Sequence, residues 1–195
     1  MSSNPRSSEI HYPVANLIAD RRSTRAYSSA PVNAEMISSL FEAVRWAPSS
    51  NNEQPWVYRY VTADQQEWHQ QLTQVLSASN QVWAGQAPLL VLSLARKTHQ
   101  KNGQPNAYAL YDVGGANALL ALQAVHLGLQ VRQMGGFDKQ KAVETLHIPE
   151  DLEPVVIIAI GHPGDPAILP ENLQVRERAV RERFLQETFV QNGLF

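Results

Sequence analysis

AYALYDVGGANALLALQAVHLGL, residues 107–129, is apolar on nearly every side when wound at the helical period. That pattern predicts a helix buried all round, with Gly128 placed to end it. The pair Gly114–Gly115 is out of keeping with such a helix. Each interior glycine costs about 1 kcal/mol against alanine. Close backbone approach to another helix would explain the cost, within the subunit or across an interface.

A helix of this kind needs sheet or helix on both sides, and the flanking sequence supplies strands. LQVRQM follows it as a strand, residues 138–146 read as a helix, and PVVIIAIG reads as a central strand. Upstream, APLLVLSLA is a buried strand, followed by the charged loop RKTHQKNGQPN. Residues 64–79 look helical, and WVYRYVT is rich in β-branched and aromatic residues, so it reads as a strand. VNAEMISSLFEAVRWAP is a helix that Asn33 can cap, with Glu35 in its first turn, Met36, Leu40, Val44 and Ala47 on one face, and Pro48 as a stop. Residues 13–20 suggest a short helix. Four central or near-central strands among helices give an α+β or α/β sandwich. FLQETFV, near the C-terminus, is strand-like with no evident partner, and it could add to another subunit's sheet.

With 195 residues, 44% of them hydrophobic, one substantial domain is expected over residues 1–195. A net charge of −2 argues against a nucleic-acid partner, which needs a broad basic face. There is no cysteine, so no disulfide, thiolate nucleophile or cysteine metal site. The six histidines are scattered, and no metal is expected. MSSNPRSSEIHYP has no apolar core of a signal peptide, and no run approaches a membrane span, so a cytoplasmic protein with no membrane partner is expected.

Four segments carry candidate chemistry. RRSTR, residues 21–25, gathers three arginines around Ser23 and Thr24. It suits a small dianion held by charge-assisted, bidentate hydrogen bonds, with a solvated surface as the alternative. APSSNNEQPW, residues 47–56, offers short hydroxyl and amide groups between two prolines, suited to a planar ligand with a polar edge or to an ordinary loop. RQMGGFD, residues 132–138, places paired glycines after a strand, where backbone can approach a ligand closely; the spacing is not a dinucleotide fingerprint. RERAVRERF, residues 176–184, brings Arg181 and Arg183 to one phosphate if the chain is extended there, and separates them if it is helical. No nucleophile or general base stands out, which is compatible with chemistry carried by a cofactor.

In this order, RRSTR, APSSNNEQPW, NQVWAGQAP, MGGFD and the tail RER resemble the FMN-dependent nitroreductase family, over a span from about Ala15 to the C-terminus. The resemblance implies an α+β fold: a three-layer α/β/α sandwich with a mainly antiparallel central sheet. It implies a disordered N-terminus over residues 1–12 and a C-terminal arm over 170–195 exchanged within a homodimer. FMN would be the cofactor, NADH or NADPH the donor, and small electron-poor molecules such as nitroaromatics or quinones the acceptors. The donor would pass hydride to flavin N5 and leave before the acceptor binds. Enal reduction, reductive dehalogenation, flavin breakdown or a non-catalytic flavin sensor are the alternatives.

Residue by residue, the resemblance puts Arg21, Ser23, Arg181 and Arg183 on the FMN phosphate and ribityl chain, with Arg22 in support. Arg25 is expected toward the flavin's pyrimidine edge. Pro48, Ser49, Ser50 and Asn52 are expected to reach the flavin from the other subunit. Asn80 would face the ring, Met134, Gly135 and Gly136 would pass beside it, and the Gly135 N–H would lie near N5. No catalytic side chain is implied. Gln133 stands where many relatives have proline, and Phe184–Leu185 where a Lys-Pro pair is common. Arg96, Lys97 or Lys101 in the polar loop is expected to affect the choice between NADPH and NADH.

Overall fold

The computed structural model describes residues 9–194. The expectation for residues 1–12 therefore lies mostly outside the described residues. Seven helices and four strands follow in chain order: α1 Asn16–Asp20, α2 Ala34–Arg45, β1 Trp56–Thr62, α3 Gln66–Gln74, α4 Ala78–Ala84, β2 Leu89–Arg96, α5 Ala109–His126, β3 Gln130–Met134, α6 Lys139–Thr145, β4 Leu152–Gly161 and α7 Glu171–Arg178.

The strands form one sheet in the order β1-β2-β4-β3, every pair antiparallel. Successive side chains of a strand point to opposite faces. Leu90, Leu92 and Leu94 of β2 therefore join Leu72, Trp83, Met134 and Ile157 on one side. Leu89 and Val91 join Leu40, Val44, Leu120, Ala124 and Ile158 on the other, under α2 and α5. Both faces are covered, which is why β2 and β4 read as continuous apolar runs. A polar pin crosses the second layer: the Tyr58 hydroxyl donates to Asn117 Oδ1 at 2.8 Å, and Asn117 Nδ2 donates to Ser93 Oγ at 3.1 Å. Burial pushes the Tyr58 phenol well above its ordinary range, so it stays a donor.

Asn33 caps α2 by accepting the Met36 N–H at 2.8 Å. The buried stripe of α2 is Ile37, Leu40 and Val44, with Met36 at its half-buried margin. Gly128 has φ +73 and follows the last turn of α5, the left-handed position a helix end favours.

Three expectations change. The helix expected over 64–79 is two helices, because Leu76 bridges to Phe137 and the Ser77 N–H donates to the Gly136 carbonyl at 2.9 Å. Within the chain α5 is not buried all round: Val113, Ala116, Asn117 and Leu120 face the core, while Leu110, Tyr111, Gly114, Gly115 and Ala118 are exposed, Tyr111 by 83%. A Cβ at Gly114 or Gly115 would meet nothing within 4 Å, so no close approach inside the subunit explains the pair. FLQETFV is not a strand in the single chain; it contains a 3₁₀ turn at Gln186–Thr188, and Phe184, Leu185, Phe189 and Val190 are exposed.

Candidate functional site

Arg21 has ψ 127, so the chain leaves α1 extended and RRSTR runs alongside two distant segments. The Arg22 N–H donates to Gln130 Oε1 at 3.3 Å. The Arg25 N–H donates to both oxygens of Glu177 at 3.0 and 3.1 Å, and the Thr24 hydroxyl donates to the same carboxylate. Beyond Arg25 the Gly164 N–H donates to the Ala26 carbonyl at 2.9 Å, beside the bridge between Tyr27 and Pro163. A Cβ at Gly164 would lie 2.4 Å from the Tyr27 carbonyl carbon, so this approach requires glycine.

The tail arrives from the other end of the chain. Helix α7 stops at Arg178, and Ala179 has ψ 144, so the run carrying Arg181 and Arg183 is not helical, the condition under which they share a side. Arg181 donates from Nη1 to the Arg21 carbonyl at 2.6 Å and from Nη2 to the Ala19 carbonyl at 2.8 Å. Arg22 Nη2 donates back to the Ala179 carbonyl at 3.1 Å. Arg21, Arg22, Ser23, Arg25, Arg181 and Arg183 thus line one cavity of about 290 Å³, together with Arg132 and Arg176.

This cavity is cationic beyond what its own acid balances. Burial, then Arg183, holds Arg21 below the usual arginine range. Burial, then Arg183, Arg21 and Arg22, does the same to Arg181. Crowded guanidinium groups in a partly buried cavity favour an oxyanion ligand, which relieves their repulsion and accepts their fork-shaped donors. Arg25 has a carboxylate partner. Its guanidinium lies 3.4 Å from Glu177 Oε2, so its charge is matched inside the chain.

The paired glycines and Asn80 meet elsewhere. Asn80, on α4, donates from Nδ2 to the Gly136 carbonyl at 3.0 Å and so holds the turn. A Cβ at Gly136 would crowd Asn80 and Ser77, whereas one at Gly135 would meet nothing within 4 Å, so backbone at Gly135 borders open space. The Met134 side chain is buried in the core. Gln133 Nε2 donates to the Asn117 carbonyl at 3.4 Å.

Pro48, Ser49, Ser50 and Asn52 lie outside the arginine-lined cavity. They form a turn at the N-terminal end of α5: the Ser50 N–H donates to Asp112 Oδ2 at 3.1 Å, and the Gln54 N–H donates to Ser49 Oγ at 3.0 Å. Asn51, Asn52 and Gln54 have φ of +52, +56 and +49, a conformation asparagine tolerates better than most side chains. This turn adjoins the first turn of α5 through Asp112, not the chain's own arginines.

Four residues of these regions were not singled out from sequence. Glu177 sits one turn after Leu173 on the buried side of α7, a spacing that was available to read. Arg132 shares a strand face with Met134, donates to the Ser23 carbonyl at 2.7 Å, and lies 5.5 Å over the Trp83 ring. Asp112 is the one acid in α5. Glu53 gave no signal.

Residues 18–162 match the model of the nitroreductase family, and the chain belongs to that family. Among relatives, it is 29% identical over 169 residues to the FMN reductase (NAD(P)H) of Bacillus subtilis (strain 168), spanning 78% of this chain and 66% of that protein. It is similar to the crystal structure of an oxidoreductase containing FMN, with 34% identity, a TM-score of 0.91 and coverage of 100% and 98% of the two chains. An FMN-dependent nitroreductase from Clostridium difficile R20291 shares the fold, with 23% identity, a TM-score of 0.70 and coverage of 92% and 98%. Among the described residues no helix is long and apolar enough to cross a membrane, and no cluster of His, Asp and Glu is placed to hold a metal ion.

Proposed function

We propose that the chain is an NAD(P)H-dependent FMN oxidoreductase, a single domain that works as a cytoplasmic homodimer on small electron-poor acceptors such as nitroaromatics or quinones. The observation that carries this reading is the arginine cavity, whose cations repel one another and outnumber the carboxylates beside them, Glu177 and Asp20. A monoester phosphate dianion fits that donor set, and Arg21, Ser23, Arg181 and Arg183 would hold it. Gly135 offers unobstructed backbone for a flat ring, and Asn80 fixes the turn that presents it. Arg25, matched by Glu177, would lend an oriented guanidinium to the ring's polar edge. When bound, FMN supplies the two-electron chemistry; the chain supplies binding, orientation and electrostatics.

A second subunit completes the site in this reading. Pro48, Ser49, Ser50 and Asn52 reach the partner's flavin, and the open face of α5 with Gly114–Gly115 forms the interface. Of the 170–195 arm only the end from Phe184, whose apolar side chains are exposed, crosses to the partner, since Glu177 and Arg181 bond to the chain's own Arg25 and Arg21. The exposed apolar side chains of α5 and of the arm support the dimer. The test is anaerobic titration of the FMN-loaded protein with NADH and with NADPH, then a panel of nitroaromatics and quinones scored by return of the oxidised flavin spectrum. Flavin that neither nucleotide bleaches would refute the enzyme and leave a binding protein.

A further inference from the structure

The 48–54 turn is held by buried carboxylates from two directions. Asp112 takes the Ser50 N–H. Glu53, only 8% exposed, accepts the Gln100 N–H on Oε2 at 3.0 Å, while its Oε1 lies 3.6 Å from His99 Nδ1. The Gln100 side chain donates in return to the Glu53 carbonyl at 3.3 Å. Residues 97–106 are thereby fixed as an ordered loop. The His99 N–H donates to the Gln104 carbonyl and the Asn106 N–H to the Lys97 carbonyl, each at 2.8 Å, and Thr98 bridges to Pro105.

A neutral amide side chain could also accept the Gln100 N–H, with a smaller desolvation cost than a carboxylate. The latch matters because of what the loop carries. Residues 97–106 contain Lys97, His99 and Lys101 and no acid. Lys97 and Lys101 are exposed and make no ion pair among the described residues. Arg96, the third cation expected to matter, is engaged 2.6 Å from Asp151 Oδ2 and does not belong to this set.

We infer that Glu53 is a positioning residue for donor choice: it holds the 97–106 loop against the 48–54 turn, so that Lys97 and Lys101 stand at the mouth of the flavin site and favour a dinucleotide bearing an extra 2′-phosphate. The inference rests on the reading of that turn as a flavin contact. Glu53 touches neither donor nor flavin; it acts through the loop.

The test uses the full chain. In the flavin-free protein, hydrogen exchange at residues 97–106 reads the latch directly. Glu53→Ala should speed it about ten- to hundredfold, while Glu53→Gln, which keeps an acceptor oxygen, should stay within about threefold of wild type. In the FMN-loaded protein, Glu53→Ala should lower the NADPH-to-NADH ratio of kcat/KM about five- to tenfold through KM for NADPH, with kcat retained. The Lys97→Ala/Lys101→Ala pair should give the same fall, and adding Glu53→Ala to it should give no more. A loosened loop with an unchanged ratio, or effects of Glu53 and the lysines that simply add, would overturn the inference. If Glu53→Ala does not accumulate folded, the exposed lysine pair still decides it: an unchanged ratio there refutes it. Failure of wild type to take up FMN would instead refute the proposed function, and the exchange arm would still report on the latch.

Discussion

Arg183→Ala separates a phosphate pocket from a merely basic surface. Arg183 is exposed, and its one polar contact among the described residues is Nη1 donating to the carbonyl of neighbouring Glu182 at 2.6 Å. Its removal should therefore leave the core intact. It should also lift repulsion from Arg21 and Arg181, both of which burial, and after it Arg183, hold below their ordinary range. Flavin-free protein should thus be unchanged or more stable, by a few tenths of a kcal/mol at the scale of exposed charge pairs. Binding moves the other way. A charge-assisted hydrogen bond to phosphate contributes about 1.5–3 kcal/mol. Its loss should weaken FMN about 10- to 150-fold. Riboflavin has the same ring and no phosphate, so its affinity should change less than about twofold by the same argument. Quenching of flavin fluorescence on titrating flavin-free protein measures both. The gap between variant and wild type should narrow as salt rises, since an exposed cation is screened within about 10 Å at 0.1 M. Equal losses for FMN and riboflavin would mean that Arg183 does not meet the phosphate.

Two further perturbations test other parts of the structure. A Cβ at Gly115 meets nothing within 4 Å in the single chain, so Gly115→Leu should still fold while abolishing the dimer in sedimentation velocity; a variant that stays dimeric removes this face of α5 from the interface. Arg45 and the Trp46 indole both donate to Glu42, holding its carboxyl at about 2, below its ordinary 4.5. A depressed carboxyl stabilises fully above the ordinary value and loses that contribution as pH falls from there toward 2. Trp46 fluorescence, which reads protonation of the folded-state carboxyl, should therefore change as pH falls toward 2 in wild type and not in Glu42→Gln; identical titrations would refute the contact.

What the sequence revealed follows the range of the interactions concerned. Strand β1 was readable to the residue because its β-branched and aromatic run is bounded by Pro55 and by a turn. The α2 cap and the Gly128 stop are local geometry and were equally plain. The break between α3 and α4 was hidden because no glycine or proline marks it; Leu76 and Ser77 leave the helix to bond residues about sixty positions on. The open face of α5 was hidden for another reason: an apolar pattern reports that a surface avoids water, not which chain covers it. FLQETFV has strand composition, but β-propensity expresses a partner's fit, and the single chain offers none. The arginines announced a charge. Their convergence depended on a fold that joins residues 160 apart, and the acid that matches Arg25 depended on where α7 ends.

The separation between the two walls of that cavity also orders its assembly in time. Arg21 and its neighbours leave the ribosome early, but Arg181, which grips the carbonyls of Arg21 and Ala19, is made 160 residues later. At about 5–20 residues per second, that is an interval of roughly 8–32 s. Through it the growing chain can pair β1 with β2 and lay α5 across them, yet it carries half an anion site. A contact of such long sequence separation is also slow to close by diffusion of the chain. On the proposed reading, cofactor capture is therefore a late event of maturation, after the sheet and after the tail. A chain stalled or cut before residue 181 would keep the four-stranded core and lose this wall of the pocket.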